Sequence, residues 1–187
     1  MRRYLVFAHQ VAGEFVTAQT AQKPFFLYVS FNISHAEDND RRPGHHYQWP
    51  AAEDGLFEDI EPIRPALDDP KYYDATPEFL KTTINRTRFF WGYDTPEKYR
   101  TNLRALYRML AGMDRIVGRV MTALQEKGFA ENTVVIYSAD NGYYLGDRGF
   151  QGIKANCTFQ YLVANNKRRS AAKTNLLHDR NVAFHFS

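Results

Sequence analysis

A carboxylate and a side-chain amide stand next to each other at Asp140-Asn141, directly after the apolar run 133–139. The run is continuous and β-branched, which is typical of a buried parallel strand. In open α/β sheets, ligands bind just beyond the carboxyl ends of such strands. Because Ca²⁺ and Mg²⁺ prefer oxygen ligands, the pair predicts a cation site. Asn141-Gly142 is also a strong hairpin signal, so a tight turn is the competing interpretation.

A histidine and a lysine could join that pair. His35 follows a second apolar run at 25–31, and Lys154 follows the glycine-rich segment 146–152. If both runs are strands of one parallel sheet, His35 lies at the same edge as Asp140, and Lys154 could fold back over it. A cation with these two side chains would bind a sulfate or phosphate ester and protonate its leaving oxygen. The ordinary alternatives are a loop histidine and a solvated lysine.

Three other polar clusters have simpler interpretations. The pair His45-His46 is adjacent, so its side chains point apart in extended chain, and metal binding there is disfavoured. Asp68-Asp69 fits a turn better than a catalytic dyad. The basic cluster at 167–169 fits a solvated surface better than a nucleic-acid-binding arm.

Composition excludes some classes of protein. The net charge of +3 over 187 residues is too small to indicate nucleic-acid binding. The single cysteine, Cys157, excludes an internal disulfide framework and a cysteine-based zinc site. No apolar stretch is long enough to span a membrane, and the N-terminal residues make no convincing signal peptide.

The elements that must position these side chains follow an α/β rhythm. We predict an amphipathic helix over 3–21, a strand at 25–31, a long irregular functional stretch at 34–94, a helix at 96–127 and a strand at 133–139.

The helix at 96–127 has the clearest signals. Thr95 is a plausible N-cap with Pro96 in the first turn, and Gly128 is a plausible C-terminal cap. Its predicted apolar face comprises Leu103, Leu106, Leu110, Met113, Val117, Val120 and Leu124.

The last segment, 155–187, shows no sustained apolar period. We therefore predict two parts: an α/β domain over 1–154 and a divergent, poorly ordered tail over 155–187.

Two blocks carry a family resemblance. The first is 23–35, KPFFLYVSFNISH, and the second is 128–142, GFAENTVVIYSADNG. In order and spacing they resemble the sulfatases, the formylglycine-dependent branch of the alkaline phosphatase superfamily, over about 13–154. The resemblance implies a fragment of an alkaline-phosphatase-like parallel-sheet sandwich with helices on both faces. It also implies hydrolysis of sulfate esters at a calcium site, with a sulfated small molecule or sulfated carbohydrate as substrate.

The resemblance also implies residue roles. Asp140 and Asn141 match a pair of calcium ligands, His35 matches the histidine that contacts the sulfate and assists the leaving group, and Lys154 is the candidate for the sulfate-binding lysine. No Cys-x-Pro-x-Arg motif, whose cysteine becomes the formylglycine nucleophile, occurs in the sequence, because Cys157 lacks the Pro and Arg. The family's first Asp-Asp metal pair is also missing, so half of the calcium ligand set is absent.

The end of the match departs from the family pattern as well. Ile153 separates Gly152 from Lys154, and no Arg-Val-Pro strand follows. We therefore expect a partial sulfatase, inactive alone, whose tail comes from a frameshift or an unrelated end. A phosphoester or phosphonate hydrolase of the same superfamily and a non-enzymatic α/β remnant are the alternatives. No nucleic-acid or membrane partner is expected, and family members are often periplasmic, secreted or lysosomal.

Overall fold

The computed structural model describes residues 11–31, 35–37, 39–42, 45–139, 142–154, 162–164 and 180–186, and from 153 onward it describes the backbone alone. The chain forms two compact units. The sheet unit is built from 1–33, 111–140 and 159–187, and the loop unit from 34–110 and 141–158. Neither unit is a continuous stretch of chain, and the predicted division into 1–154 and 155–187 stays a prediction.

Strands and helices are numbered along the chain. The described strands are β1 Phe26–Phe31, β2 Thr133–Ala139, β3 Gly142–Tyr143, β4 Ile153–Lys154, β5 Leu162–Ala164 and β6 Arg180–Phe186. The described helices are α1 at 11–17, α2 Pro70–Asp74, α3 Glu78–Lys81, α4 Ile84–Gly92 and α5 Pro96–Glu126.

The sheet unit contains a mixed four-stranded sheet in the order β1-β6-β2-β5. Strands β1 and β2 are both parallel to β6, and β5 runs antiparallel to β2. Phe31 and Ala139 are both register partners of Phe186, so β1 and β2 end at the same edge of the sheet. The prediction that the two apolar runs are parallel strands of one sheet is confirmed. The hairpin interpretation is wrong, because β2 pairs with β5 and β6 rather than with 143–149.

Strands β5 and β6 lie in the segment predicted to be a divergent tail. Strand β6 is central, since it pairs with β1 on one side and β2 on the other. The prediction that the α/β pattern ends near residue 154 is therefore wrong for these residues. A central parallel strand is usually a continuous apolar run, but the β6 sequence RNVAFHF mixes apolar residues with Arg180, Asn181 and His185, so it lacks that pattern. The expected lack of order in the rest of the tail lies outside the described residues.

Helix α5 matches its prediction at both ends. Thr95 Oγ1 accepts a hydrogen bond from the Lys98 amide at 3.2 Å, as an N-cap does. At the other end Gly128 has φ +68°, its amide donates to the Gln125 carbonyl at 2.9 Å, and the Phe129 amide donates to the Leu124 carbonyl at 2.8 Å. This is a Schellman termination, which favours glycine at the left-handed position because glycine adopts a positive φ without steric cost.

The buried face of α5 differs slightly from the predicted one. Met109 and Ile116 are buried, whereas Leu110 and Val117 are only partly buried. A straight helix has 3.6 residues per turn, so over 31 residues the buried seam drifts relative to a seven-residue repeat.

The N-terminal helix is described over 11–17, within the predicted 3–21, and its residues 3–10 lie outside the described part of the chain. Ala12 and Val16 are buried. The Phe15, Phe25 and Phe129 rings pack at centroid distances of 5.7 and 5.9 Å. Among the described residues, no helix is both long and apolar enough to cross a membrane.

The stretch 34–94 is less irregular than predicted, because it contains α2, α3 and α4. Asp69 is the N-cap of α2, its side chain accepts from the Lys71 amide, and Pro70 occupies the first turn. Asp68 instead accepts two hydrogen bonds from the Arg64 guanidinium, at 2.7 and 2.8 Å. The pair Asp68-Asp69 therefore has local structural roles.

Candidate functional site

Strands β3 and β4 form a two-stranded antiparallel ribbon within the loop unit. Its register pairs Gly142 with Lys154 and Tyr143 with Ile153. The backbone of Lys154 therefore lies opposite the residue that follows Asp140-Asn141 in the sequence. The predicted metal ligands Asp140 and Asn141 themselves lie outside the described residues.

The turn between the two strands, 144–152, is held by hydrogen bonds at several points. The Tyr144 amide donates to the Gly152 carbonyl at 3.0 Å, and the Gly146 amide donates to the Phe150 carbonyl at 2.8 Å. From outside the turn, the Arg86 guanidinium donates to the Gly149 carbonyl at 2.8 Å while it stacks over the Tyr73 ring at 3.7 Å. The backbone that leads to Lys154 is thus held both by hydrogen bonds within the turn and by Arg86 from outside it.

His35 lies four residues after β1 and is exposed. Its Nδ1–H donates to the Ala36 carbonyl at 2.7 Å. A neutral ring with its proton on Nδ1 carries its lone pair on Nε2, so Nε2 is the atom that could exchange a proton with a substrate. Two residues later, the Glu37 amide donates to the His46 carbonyl at 2.7 Å, which fixes the chain beyond His35.

The adjacent histidines differ in environment. His45 is exposed and its Nδ1 lies 3.6 Å from an Asp40 carboxylate oxygen. His46 is buried, and its Nε2 is hydrogen-bonded to the Gln151 amide nitrogen at 2.5 Å. Within the part of the chain that the structure describes, no cluster of three or more His, Cys, Asp or Glu side chains could hold a metal ion.

The donor chemistry of Asp140-Asn141 fits a hard cation, since both side chains offer oxygen. Calcium takes about 6–8 oxygen ligands, and two side chains supply only part of that set. The residues therefore fit calcium in kind but not in number.

Sequence reasoning missed the contacts of three buried residues near the ribbon: His46, Tyr47 and Gln151. The Tyr47 and Tyr93 hydroxyls are 2.6 Å apart, and both tyrosines are buried. Burial, followed by the neighbouring Tyr93 and Tyr143, raises the pKa of Tyr47 well above its usual value, so its hydroxyl stays neutral. Contacts between residues this far apart in sequence produce no periodic pattern from which they could be predicted. The adjacent pair His45-His46 was the one sequence signal in this region.

Comparison with known proteins gives one family and several relatives. The model of the family described as Sulfatase matches residues 4–180. An arylsulfatase of Volvox carteri is 47% identical over 55 residues, which are 27% of this chain and 8% of that protein. A sulfatase of Formosa agariphila is 25% identical over 134 residues, 68% of this chain and 24% of that protein. An N-acetylglucosamine-6-O-sulfatase of Bacteroides thetaiotaomicron is 30% identical over 53 residues, 28% of this chain and 10% of that protein.

Three consequences follow from these matches. The aligned parts span between 8% and 24% of the length of these relatives, so this chain corresponds to a minor part of each. The family match extends through residue 180, which corrects the expectation that the resemblance ends near Lys154 and agrees with the position of β5 and the start of β6. The match covers most of the sequence, and the chain belongs to the sulfatase family.

Proposed function

We propose that this chain supplies part of a site that binds and hydrolyses sulfate esters. In this proposal Asp140 and Asn141 are calcium ligands, and His35 and Lys154 contact the sulfate group. One observation carries it: the ribbon register sets Lys154 opposite Gly142, one residue beyond the Asp-Asn pair. Family membership supplies the reaction class, sulfate-ester hydrolysis.

The chemistry of the proposed residues suits a sulfate monoester. The Lys154 ammonium would donate hydrogen bonds to non-bridging sulfate oxygens and offset their negative charge. A protonated His35 would donate from Nε2 to the bridging oxygen as the sulfur–oxygen bond breaks, which stabilises the leaving alcohol. A bound calcium ion would polarise the sulfate oxygens as a Lewis acid.

The larger architecture is also part of the proposal. The family implies an alkaline-phosphatase-like α/β fold, and we propose that the sheet belongs to a sandwich with helices on both faces. Strand β1 supports this, because its sequence is apolar on both faces while Phe26 and Tyr28 are exposed. The substrate class we propose is a sulfated small molecule or sulfated carbohydrate, and the similarity to an N-acetylglucosamine-6-O-sulfatase of Bacteroides supports it.

The test of sulfate binding uses the 187-residue chain and nuclear magnetic resonance. Titration with inorganic sulfate should shift the amide resonances of His35 and Lys154, and Lys154→Ala should weaken the sulfate affinity at least several-fold. Lys23→Ala is the matched control, since Lys23 is an exposed lysine outside the ribbon. Sulfate shifts that persist unchanged in Lys154→Ala would refute the assignment, and a clear preference for phosphate over sulfate would favour a phosphoester hydrolase.

Turnover is a separate question. We expect no measurable aryl sulfate hydrolysis by these 187 residues, because acid–base assistance without a nucleophile gives only a small part of the required acceleration. Hydrolysis that survives rigorous purification and disappears in His35→Ala would contradict this expectation.

A further inference from the structure

We propose that the adjacent residues His46 and Tyr47 form a positioning hub for three segments of the loop unit: the segment with His35, strand β3, and strand β4 with Lys154. The inference rests on the proposed function for its catalytic meaning. Its structural content is independent, because all three segments and both hub residues lie within the loop unit. Neither residue is assigned contact with the substrate.

The first contact of the hub is with the segment that carries His35. The His46 carbonyl accepts a hydrogen bond from the Glu37 amide at 2.7 Å. Ala36, between His35 and Glu37, is buried, and its carbonyl accepts from the His35 ring. The backbone on which His35 stands is therefore tied to His46 within two residues.

The second contact is with the strand that carries Lys154. Gln151 is entirely buried, and its side-chain amide is hydrogen-bonded to His46 Nε2. The Gln151 backbone amide also donates to the Asn85 carbonyl at 2.9 Å. A buried amide is costly unless it is hydrogen-bonded, so this pairing determines where Gln151 can lie. Only two residues separate Gln151 from Lys154, and the position of β4 follows from that of Gln151.

The third contact is with the strand that follows Asp140-Asn141. The Tyr47 hydroxyl is hydrogen-bonded to the Tyr93 hydroxyl at 2.6 Å, and Tyr143 of β3 is close enough to Tyr47 to help raise the pKa of its hydroxyl. The same dipeptide therefore serves both strands: Tyr47 neighbours β3, and His46 is hydrogen-bonded to Gln151 just before β4.

The end of α4 is shaped to leave room for this arrangement. Asn102 of α5 donates to the Gly92 carbonyl at 2.9 Å. A Cβ on Gly92 would lie 2.6 Å from Asn102 Nδ2 and 3.4 Å from Gln151 Oε1. A side chain at this position would displace the two amides, so the glycine allows Gln151 to reach His46.

The hub explains how residues 35, 142 and 154 could keep fixed relative positions although they are far apart in the sequence. Hydrogen bonds from these two adjacent buried residues limit where the bonded segments can lie. Loss of the His46–Gln151 bond should loosen the ribbon while leaving the sheet unit unchanged.

Amide hydrogen exchange on the 187-residue chain tests the hub directly. In His46→Leu the side-chain amide of Gln151 loses its partner. Exchange at the backbone amides of Tyr144 and Gln151 should then accelerate about tenfold or more. In His46→Gln the new side chain can hydrogen-bond again, and most of the protection should return. Gln125→Met, on the exposed face of α5, is the control for a general perturbation.

Sulfate affinity, measured on the same samples, separates this inference from the proposed function. His46→Leu should weaken sulfate binding several-fold and His46→Gln should restore it, whereas Lys154→Ala should weaken binding without accelerating exchange at Tyr144. If Lys154→Ala leaves sulfate binding unchanged, the proposed function fails. The exchange data would still show whether His46 holds the ribbon in place.

Two exchange results would overturn the hub. One is unchanged exchange at Tyr144 and Gln151 in His46→Leu. The other is acceleration that extends equally through α5, which would show a general structural role. If His46→Leu does not fold, Gln151→Met breaks the same bond from the other side, and the same residues report the result.

Discussion

The contacts inside the sheet unit differ in kind from the contacts inside the loop unit. In the sheet unit, backbone ladders join β1, β6 and β2, and apolar side chains such as Val16, Phe31 and Leu124 are buried. In the loop unit, long side chains reach backbone carbonyls: Arg104 donates to Ile60 and Arg108 to Leu56, each at 2.7 Å. The stability of the first unit thus depends mainly on buried area, and the shape of the second on individual hydrogen bonds.

The largest expected effect tests the apolar side of this comparison. Leu124→Ala removes a fully buried side chain from α5 in the sheet unit and should lower the free energy of unfolding by about 2–5 kcal/mol, through lost burial and the cavity left behind. Gln125→Ala, one residue along and exposed, should change it little. Urea denaturation followed by circular dichroism measures both, and equal effects would contradict the predicted burial of this face.

A pair of glycines compares the two units with one chemical change. Gly152→Ala in the loop unit should destabilise the ribbon by about 1–3 kcal/mol, because Gly152 has φ +116° and its Cβ would collide with Asn85 Oδ1. Gly118→Ala in α5 should stabilise the chain by about 0.5–1 kcal/mol, since nothing lies within 4 Å of the added carbon. The readout is thermal unfolding, with amide exchange at Tyr144 for the ribbon. A neutral Gly152→Ala would show that the ribbon backbone differs from this description.

The same difference explains what the sequence could predict. The strands at 26–31 and 133–139 and helix α5 with both caps were predictable, because apolar periodicity and cap residues are local signals. Strand β6 was not predictable, since its role depends on neighbours supplied by remote parts of the chain. The short helices of 70–92 were also missed, although Asp69-Pro70 is a local start signal for α2.

The candidate site shows the same contrast between local signals, which could be predicted, and long-range contacts, which could not. Sequence reasoning proposed Lys154 from its place after a glycine-rich turn, and the ribbon register then set it opposite Gly142. Whether His35 and Asp140 share an edge stays a prediction, because Asp140 lies outside the described residues. The contacts of His46, Tyr47 and Gln151 could not be read from sequence, since the His46–Gln151 pair spans 105 residues.

Arginine substitutions on α5 test whether carbonyl contacts matter more than surface ion pairs. Arg108→Met should cost about 1–2 kcal/mol, because Arg108 is 13% exposed and its loss leaves the Leu56 carbonyl without this donor. Arg100→Met removes an exposed pair with Glu61 and should have a smaller effect that vanishes at high salt. Chemical denaturation at low and high salt distinguishes them, and a larger effect for Arg100 would reverse the proposed order.

The smallest expected effect concerns pH. The hydrogen bond from Arg42 lowers the pKa of Asp40 from 3.8 to about 2. A carboxyl with a lowered pKa contributes its stabilisation above its unfolded pKa, and this contribution is lost as the pH falls from about 4 to about 2. Solvent screening keeps the effect small, because Asp40 and Arg42 lie at the surface. Carboxyl-detected titration should show the low pKa, and Arg42→Gln should return it towards its usual value; an unchanged pKa in that variant would exclude Arg42 as the cause.

Calcium titration of the 187-residue chain tests the proposed site most directly. The account predicts weak binding, on the order of millimolar, because Asp140 and Asn141 supply only part of the oxygen ligands that calcium takes. The calcium-dependent shifts should centre on the amides of residues 140–142 and disappear in Asp140→Ala, while Asp59→Ala, a control carboxylate in the loop unit, should leave them unchanged. Shifts that are absent at these residues, or that persist in Asp140→Ala, would contradict the assignment of this edge as the metal site.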